Sequence, residues 1–318
     1  MGYTKESLKI VFFGTPDFAV ESLDRLVSGG YNIVGVVTMP DKAAGRGHKM
    51  FQSPVKEYAL AHNLKLMQPA NLKDPEFVEE LRSLNADLQI VIAFRMMPEV
   101  VWNMPPLGTF NLHASLLPKY RGAAPINWAV MNGDKETGVT TFFLKHEIDT
   151  GDIIQQEKIE IAETDNVGVV HDRLMTLGAG MVVETVDAII AGTVKPIPQE
   201  DLLNKDEEPT PAPKIFKETC EIDFKRTARE VYNHIRGLSP YPAAWTTIKD
   251  ANGAEFALKI YETELPSEKV VGEPGAVVAT KDTLTFACAD GSIEVKSIQL
   301  AGKKRMTTAE FLRGFKFK

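Results

Sequence analysis

Residues 8–38 read LKIVFFGTPDFAVESLDRLVSGGYNIVGVVT, and they decide the fold. The apolar run at 8–13 gives way to Gly14-Thr15-Pro16, which predicts a buried strand, a tight turn and a proline at the first helical position. Residues 17–28 have helical spacing and stop at Gly29-Gly30. A second apolar strand follows at 32–38. Strand, helix and strand in so short a span make a βαβ unit, so the sheet should be parallel. The turn lacks the Gly-x-Gly-x-x-Gly pattern and no acidic residue takes the ribose position, which disfavours a nicotinamide cofactor.

Outward from this unit, residues 39–52 are basic, contain glycine and carry few apolar side chains, so they read as a loop. It leaves the carboxyl end of a parallel strand, where open sheets place ligands and a basic loop could reach a phosphate backbone. Ser53-Pro54 starts a helix, with serine as N-cap. A short strand at 64–67 and a helix at 74–83 come next. Residues 86–94 form the strongest strand of the chain, apolar almost throughout and therefore central, with both faces covered. It runs into Arg95-Met96-Met97-Pro98.

The next strand, at 108–113, carries Asn111 and His113 two residues apart, on one face. A polar pair at a strand end must find partners or serve chemistry. A Pro- and Gly-containing loop at 115–121 and a helix at 123–132 follow. Strands at 139–144 and 152–161 are joined by a turn that holds Asp149-Thr150-Gly151. Ser115 with His113 and Asp149 could form a hydrolase triad, but no Gly-x-Ser-x-Gly elbow presents the serine. His113, Asp149 and Asp152 lack the companions of a metal site, since no His-x-x-x-His or cysteine pair accompanies them.

Residues 164–191 have long helical periodicity. From about 192 to 214 the chain is Pro-rich and polar and reads as an extended linker. Beyond it, a helix at 228–237 and short alternating strands with turns at Asn252-Gly253, Pro274-Gly275 and Asp290-Gly291 predict a small barrel. The domain boundary is placed between 208 and 209. The chain has 318 residues, 44% hydrophobic and 25% charged, average for a globular protein. No apolar run reaches the length of a bilayer span, and the first residues do not look like a secretory signal. The two cysteines, Cys220 and Cys288, fit free thiols in a reducing cytoplasm. The net charge of −7 divides into +3 after residue 208 and −10 before it, a mild pointer to an anionic partner of the C-terminal part.

Laid end to end, these motifs resemble the methionyl-tRNA formyltransferase family along almost the whole chain. The likeness rests on Phe13-Gly14-Thr15-Pro16-Asp17-Phe18, Ala44-Gly45-Arg46-Gly47 and Ser53-Pro54-Val55-Lys56. It rests above all on the run from Asn111-Leu112-His113 through Arg121-Gly122-Ala123-Ala124-Pro125-Ile126, on Asp149-Thr150-Gly151-Asp152 and on Leu300-Ala301-Gly302-Lys303-Lys304. Arg95 stands where the family pattern has glycine, beside the expected pterin pocket.

The resemblance implies an α/β fold. A Rossmann-like formyltransferase domain with a parallel-rich sheet would occupy residues 1–208, and a small OB-like β-barrel that binds tRNA would occupy 209–318. The implied reaction moves a formyl group from 10-formyltetrahydrofolate, a cosubstrate, to the α-amino group of methionyl initiator tRNA for translation initiation, without a metal. Asn111, His113 and Asp149 would be catalytic. Ser115, Leu116, Leu117, Pro118, Phe94 and Met96 would contact folate. Arg46, Lys42, Lys49, Lys214, Lys303 and Lys304 would contact tRNA. A cytoplasmic monomer that engages no membrane is expected. Two alternatives are a formyltransferase acting on a small amine such as an amino-sugar nucleotide, and a non-catalytic RNA-binding protein on the same fold.

Overall fold

In the computed structural model, which describes residues 2–44, 49–203, 208–267 and 272–317, the apolar runs of the N-terminal part become one sheet. The chain runs through β1 (Ile10–Gly14), α1 (Asp17–Ser28), β2 (Ile33–Val37), β3 (Lys42–Ala44), β4 (Lys49–Phe51), α2 (Pro54–Ala61), β5 (Leu66–Met67) and α3 (Pro75–Ser83). It continues through β6 (Leu88–Ile92), α4 (Glu99–Trp102), β7 (Thr109–His113), β8 (Arg121–Gly122), α5 (Pro125–Met131), β9 (Glu136–Phe143), β10 (Ile153–Glu160) and α6 (Val167–Ala191). The last part holds β11 (Pro211–Ala212), α7 (Ala228–Leu238), β12 (Ala244–Lys249), β13 (Glu255–Glu264), β14 (Val277–Ala279), β15 (Leu284–Ala287), β16 (Ser292–Leu300), β17 (Met306–Thr307) and α8 (Thr308–Gly314). Two compact units result, Met1–Gly122 with Gly138–Ile159 and His171–Pro211, and Ala123–Thr137 with Glu160–Val170 and Ala212–Lys318.

In the first unit, the strand order among the described residues is β10-β9-β7-β6-β1-β2-β5. β1 pairs in parallel with β2 and β6, and β6 with β7, while β9 runs antiparallel to β7. All five β6 residues are buried, as its continuous apolar run requires of a middle strand. The chain winds from β1 outward to β5, then crosses back to β6, so β1 and β6 flank the switch point where such sheets bind ligands. Their ends are level, Gly14 opposite Ile92, with Ile92 opposite Leu112 of β7. A Cβ on Gly14 would lie 2.7 Å from Ala19 Cβ, so glycine lets α1 start close against β1. Ser53 caps α2 by accepting from Lys56 N at 3.1 Å, as Ser-Pro predicts.

One face of this sheet buries Val11, Phe13, Val37 and Val91 with Phe77, Val78 and Leu81 of α3. Burying each large side chain is worth roughly 1.5–3 kcal/mol. Across the sheet, α6 comes so near β7 that a Cβ on Gly178 would meet Leu112 Cδ2 at 2.7 Å. By length and composition α6 is a helix that could cross a membrane, where the sequence reading found no such run. One side of it packs on the sheet. Thr185 Oγ1 lies 3.0 Å from Thr141 Oγ1, and Asp187 accepts from the Tyr31 hydroxyl.

Two stretches differ from the sequence reading. Residues 42–51, read as loop, contain the antiparallel pair β3–β4, with Lys42 opposite Phe51 and Ala43 opposite Met50. Three-residue strands are too short to show period-2 patterning. The 192–214 stretch, read as linker, includes a segment bonded to β10 in both directions: Ile153 N donates to Ile197 O at 2.8 Å and Ile197 N to Ile153 O at 2.9 Å.

The second unit is an antiparallel half-barrel, ordered β12-β13-β16-β15-β14 with β17 on β16 among the described residues. Its alternating strands bury Leu258, Ile260, Val295 and Ile298 against Val231, Ile235 and Leu238 of α7 and Phe311 of α8. Thr227–Glu230 and Thr307–Glu310 form capping boxes that start α7 and α8. α5 packs on α7: Asn127 Nδ2 donates to Gly237 O at 2.9 Å, and Met131 joins the core of this unit.

Candidate active site

Period 2 sorts the residues of β7. Leu112 meets α6, so Asn111 and His113 point from the opposite face at the carboxyl edge of the sheet. Asn111 is half-buried, and no described residue bonds its carboxamide. The His113 side chain is buried. Its Nε2 lies 2.8 Å from Tyr120 O, an atom that can only accept, so Nε2 carries a proton and donates. That leaves Nδ1 as the ring nitrogen turned toward the rest of the site. It faces Asp149 Oδ2 at 3.8 Å, too long for a direct hydrogen bond. A donor held between the two atoms could reach both. Phe142, from β9, packs edge-on to the imidazole with ring centroids 6.5 Å apart.

Asp149 belongs to the turn after β9 and adopts a left-handed backbone, φ 54°, which aspartate tolerates better than most residues. Its carboxylate accepts from Gly122 N at 2.9 Å. The same 120–122 stretch thus holds His113 through the Tyr120 carbonyl and Asp149 through the Gly122 amide. Tyr120 is itself left-handed, φ 61°, and its N donates to Thr210 O at 2.6 Å. Gly151 is required in the turn, since a Cβ there would fall 1.5 Å from Phe143 O.

The 115–118 loop is built on Thr140 of β9. Thr140 Oγ1 donates to Ser115 O at 2.7 Å and accepts from Leu117 N at 3.2 Å. Gln156 Nε2 donates to Leu117 O at 2.7 Å. Ser115, Leu117 and Pro118 are buried and form the body of the loop, while Leu116 is partly exposed. The Ser115 hydroxyl donates to Lys119 O at 2.7 Å and His113 Nε2 faces Tyr120 O, so no serine triad forms. Asp152 pairs with Lys145 at 2.6 Å, apart from Asp149.

Beyond the end of β6, Phe94 packs edge-on to Phe13 with centroids 5.6 Å apart, and Met96 is 73% exposed. Arg95 does not project freely. Its guanidinium donates to Ala70 O at 2.8 Å and Pro69 O at 2.5 Å, and burial lowers its pKa. Met96, Met97 and Pro98 line a cleft of about 630 Å³ with Leu72, Lys73 and Val100.

The basic positions are spread over both units. Arg46 lies outside the described residues. Lys42 is exposed on β3, and Lys49 sits in β4 opposite Ala44. The base of this hairpin is tied by the Lys56–Asp41 ion pair at 2.6 Å, and Gln68 Nε2 donates to Asp41 at 2.9 Å; these bonds hold the Asp41 carboxyl below its usual range. In the second unit Lys214 lies over the Phe216 ring, and Lys303 and Lys304 are exposed. Lys217 lies over Trp245, and Arg305 over Tyr261 at 4.4 Å.

Sequence reasoning missed Gln199, which is fully buried. Its Nε2 donates to Asp149 O and to Gly151 O, both at 2.8 Å, and its Oε1 accepts from Arg121 Nε at 3.1 Å and Nη2 at 2.8 Å. Nothing in a proline-rich stretch marks a glutamine for burial. Tyr120 and Thr140 were missed because they act through backbone and loop contacts.

Residues 8–186 match the family described as formyl transferase, and residues 214–316 match the formyl transferase C-terminal domain. The methionyl-tRNA formyltransferase of Bacteroides fragilis is 63% identical over 313 residues, covering 98% of this chain and 96% of that one. That of Flavobacterium johnsoniae is 54% identical over 312 residues, covering 98% of each. Among solved structures, the N-formyltransferase of Helicobacter canadensis with folinic acid and dTDP-3-aminofucose superposes with a TM-score of 0.68 at 20% identity, covering 94% of this chain and all of that one. At that identity the likeness is one of fold.

Proposed function

This chain belongs to the methionyl-tRNA formyltransferase family, and on that premise we propose that it transfers the formyl group of 10-formyltetrahydrofolate to the α-amino group of methionyl initiator tRNA. The observation that carries the site assignment is the opposed pair, His113 Nδ1 and Asp149 Oδ2, 3.8 Å apart at the carboxyl edge of the sheet. An attacking amine between them can give up its proton as its nitrogen bonds the formyl carbon. The unpartnered Asn111 carboxamide is free to donate to the formyl oxygen as negative charge develops there. His113, protonated at Nδ1 and paired with Asp149, then returns a proton to the folate nitrogen as its bond to the formyl carbon breaks. The products are N-formylmethionyl-tRNA and tetrahydrofolate.

Phe94 and Met96 beyond β6 and Leu116 of the 115–118 loop offer apolar surface to the pterin, and Ser115, Leu117 and Pro118 shape the second of these loops. Arg46, with Lys42 of β3 and Lys49 of β4, reads the acceptor end of the tRNA, and Lys214, Lys303 and Lys304 follow its phosphates. The aromatic rings of the second unit, several already faced by cations, support a nucleic-acid surface. Chemistry and the acceptor-end contacts belong to residues 1–208, and residues 209–318 form the tRNA-binding domain. The enzyme acts as a cytoplasmic monomer without a membrane, a setting supported by two buried free thiols and a tRNA substrate.

The test offers formyl-labelled 10-formyltetrahydrofolate with methionyl-tRNA or with an amino-sugar nucleotide. Label should enter methionyl-tRNA. Label in the small amine alone, or in neither, would overturn the proposal.

A further inference from the structure

We infer that Gln199 is a positioning residue for formyl transfer, acting through Asp149; this rests on the reading of Asp149 as catalytic. Asp149 must hold one carboxylate oxygen toward His113 while its own backbone is left-handed. Its side chain is fixed by the Gly122 amide, which leaves the turn that carries it to be held from elsewhere. Gln199 does this with both amide hydrogens, one to Asp149 O and one to Gly151 O. The two carbonyls flank Thr150, so the clamp fixes the turn on both sides of its middle residue.

The other end of the carboxamide is also engaged. Arg121 donates two hydrogen bonds to Oε1, which sets the amide orientation and directs its hydrogens at the turn. Arg121 lies between Tyr120, whose carbonyl holds His113, and Gly122, whose amide holds Asp149. One buried glutamine therefore links both segments that orient the catalytic pair. Gln199 is delivered there by the paired backbone of Ile197 and Ile153. Glutamate would keep the acceptor for Arg121 and lose the donors. Methionine would keep the length and packing and lose both.

Steady-state kinetics on wild type, Gln199→Glu and Gln199→Met, with 10-formyltetrahydrofolate and methionyl-tRNA, test the inference. Both variants should lose roughly 10–100-fold in kcat, the range seen when outer hydrogen-bond partners of functional groups are removed. KM for each substrate should stay within about threefold with kcat expressed per folded enzyme, the pattern of an interaction made only in the transition state. Thermal melts confirm that the chain is folded at the assay temperature. If Gln199→Met does not fold, Gln199→Glu, which keeps the Arg121 contact, decides alone. A folded variant with kcat within about twofold of wild type overturns the inference. An inactive wild type would instead overturn the proposed function.

Discussion

At the scale of single residues, the site depends on which atoms are left to react. Tyr120 O fixes the proton on His113 Nε2 and Gly122 N fixes one bond of Asp149. His113→Ala removes the group proposed to move a proton, and Asp149→Asn replaces an acceptor with a possible donor. Each should lower kcat by about 10²–10³ without changing the fold, checked by kinetics beside circular dichroism. Near-normal turnover in either would refute the assignment. Arg46 makes a different prediction. Arg46→Ala should raise KM for methionyl-tRNA while KM for the formyl donor holds, and equal use of tRNA by both proteins would count against its role.

Secondary elements set the next scale, and the α5–α7 contact shows how magnitudes decide it. Alanine in place of a helical glycine normally stabilises by about 0.5–1 kcal/mol. At Gly237, however, a Cβ would lie 2.4 Å from Met131 Cγ and 2.8 Å from Met131 N. The side chain could rotate away but the backbone nitrogen cannot, and forced overpacking costs about 1–3 kcal/mol. Gly237→Ala should therefore destabilise, seen as a lower denaturant midpoint. α7 also carries His234, whose Nε2 is buried without a partner among the described residues. Burial, with a smaller contribution from Arg226, lowers its pKa below the ordinary 6.5, against a hydrogen bond to the Cys220 backbone that raises it. The unfolded chain then binds the proton more readily than the folded one. The folded state keeps its full stability above 6.5 and loses part of it as pH falls from there toward the lower folded value. His234→Gln should flatten this part of the stability profile between about pH 7.5 and 5.5, and an unchanged slope would argue against it.

At the scale of the molecule, the chain is acidic overall yet binds a polyanion in the proposed reaction. Its charge of −7 hides a C-terminal part of +3, and Lys42, Arg46 and Lys49 add positive charge within a short run of sequence. If phosphates are neutralised by these groups, counterion release makes tRNA use depend on salt. Two phosphate contacts would raise KM for methionyl-tRNA about tenfold between roughly 50 and 200 mM monovalent salt, with KM for the formyl donor nearly constant. A flat tRNA profile would mean that lysines such as Lys214, Lys303 and Lys304 do not meet phosphate.

The sequence by itself determined the parallel sheet, its central strand and the shared face of Asn111 and His113. These follow from strand period, helix caps and unbroken apolar runs, all carried by neighbours along the chain. It also carried the family motifs, but not the β3–β4 pair or the burial of Gln199. Only the tertiary structure decided that Asp149 Oδ2 faces His113 Nδ1, that Tyr120 and Gly122 hold them by backbone atoms, and that Gln199 clamps the turn from 50 positions away. Those bonds depend on where separate loops end in space. Local periodicity records which side of its own element a residue faces and carries nothing about the distance to a residue on another loop.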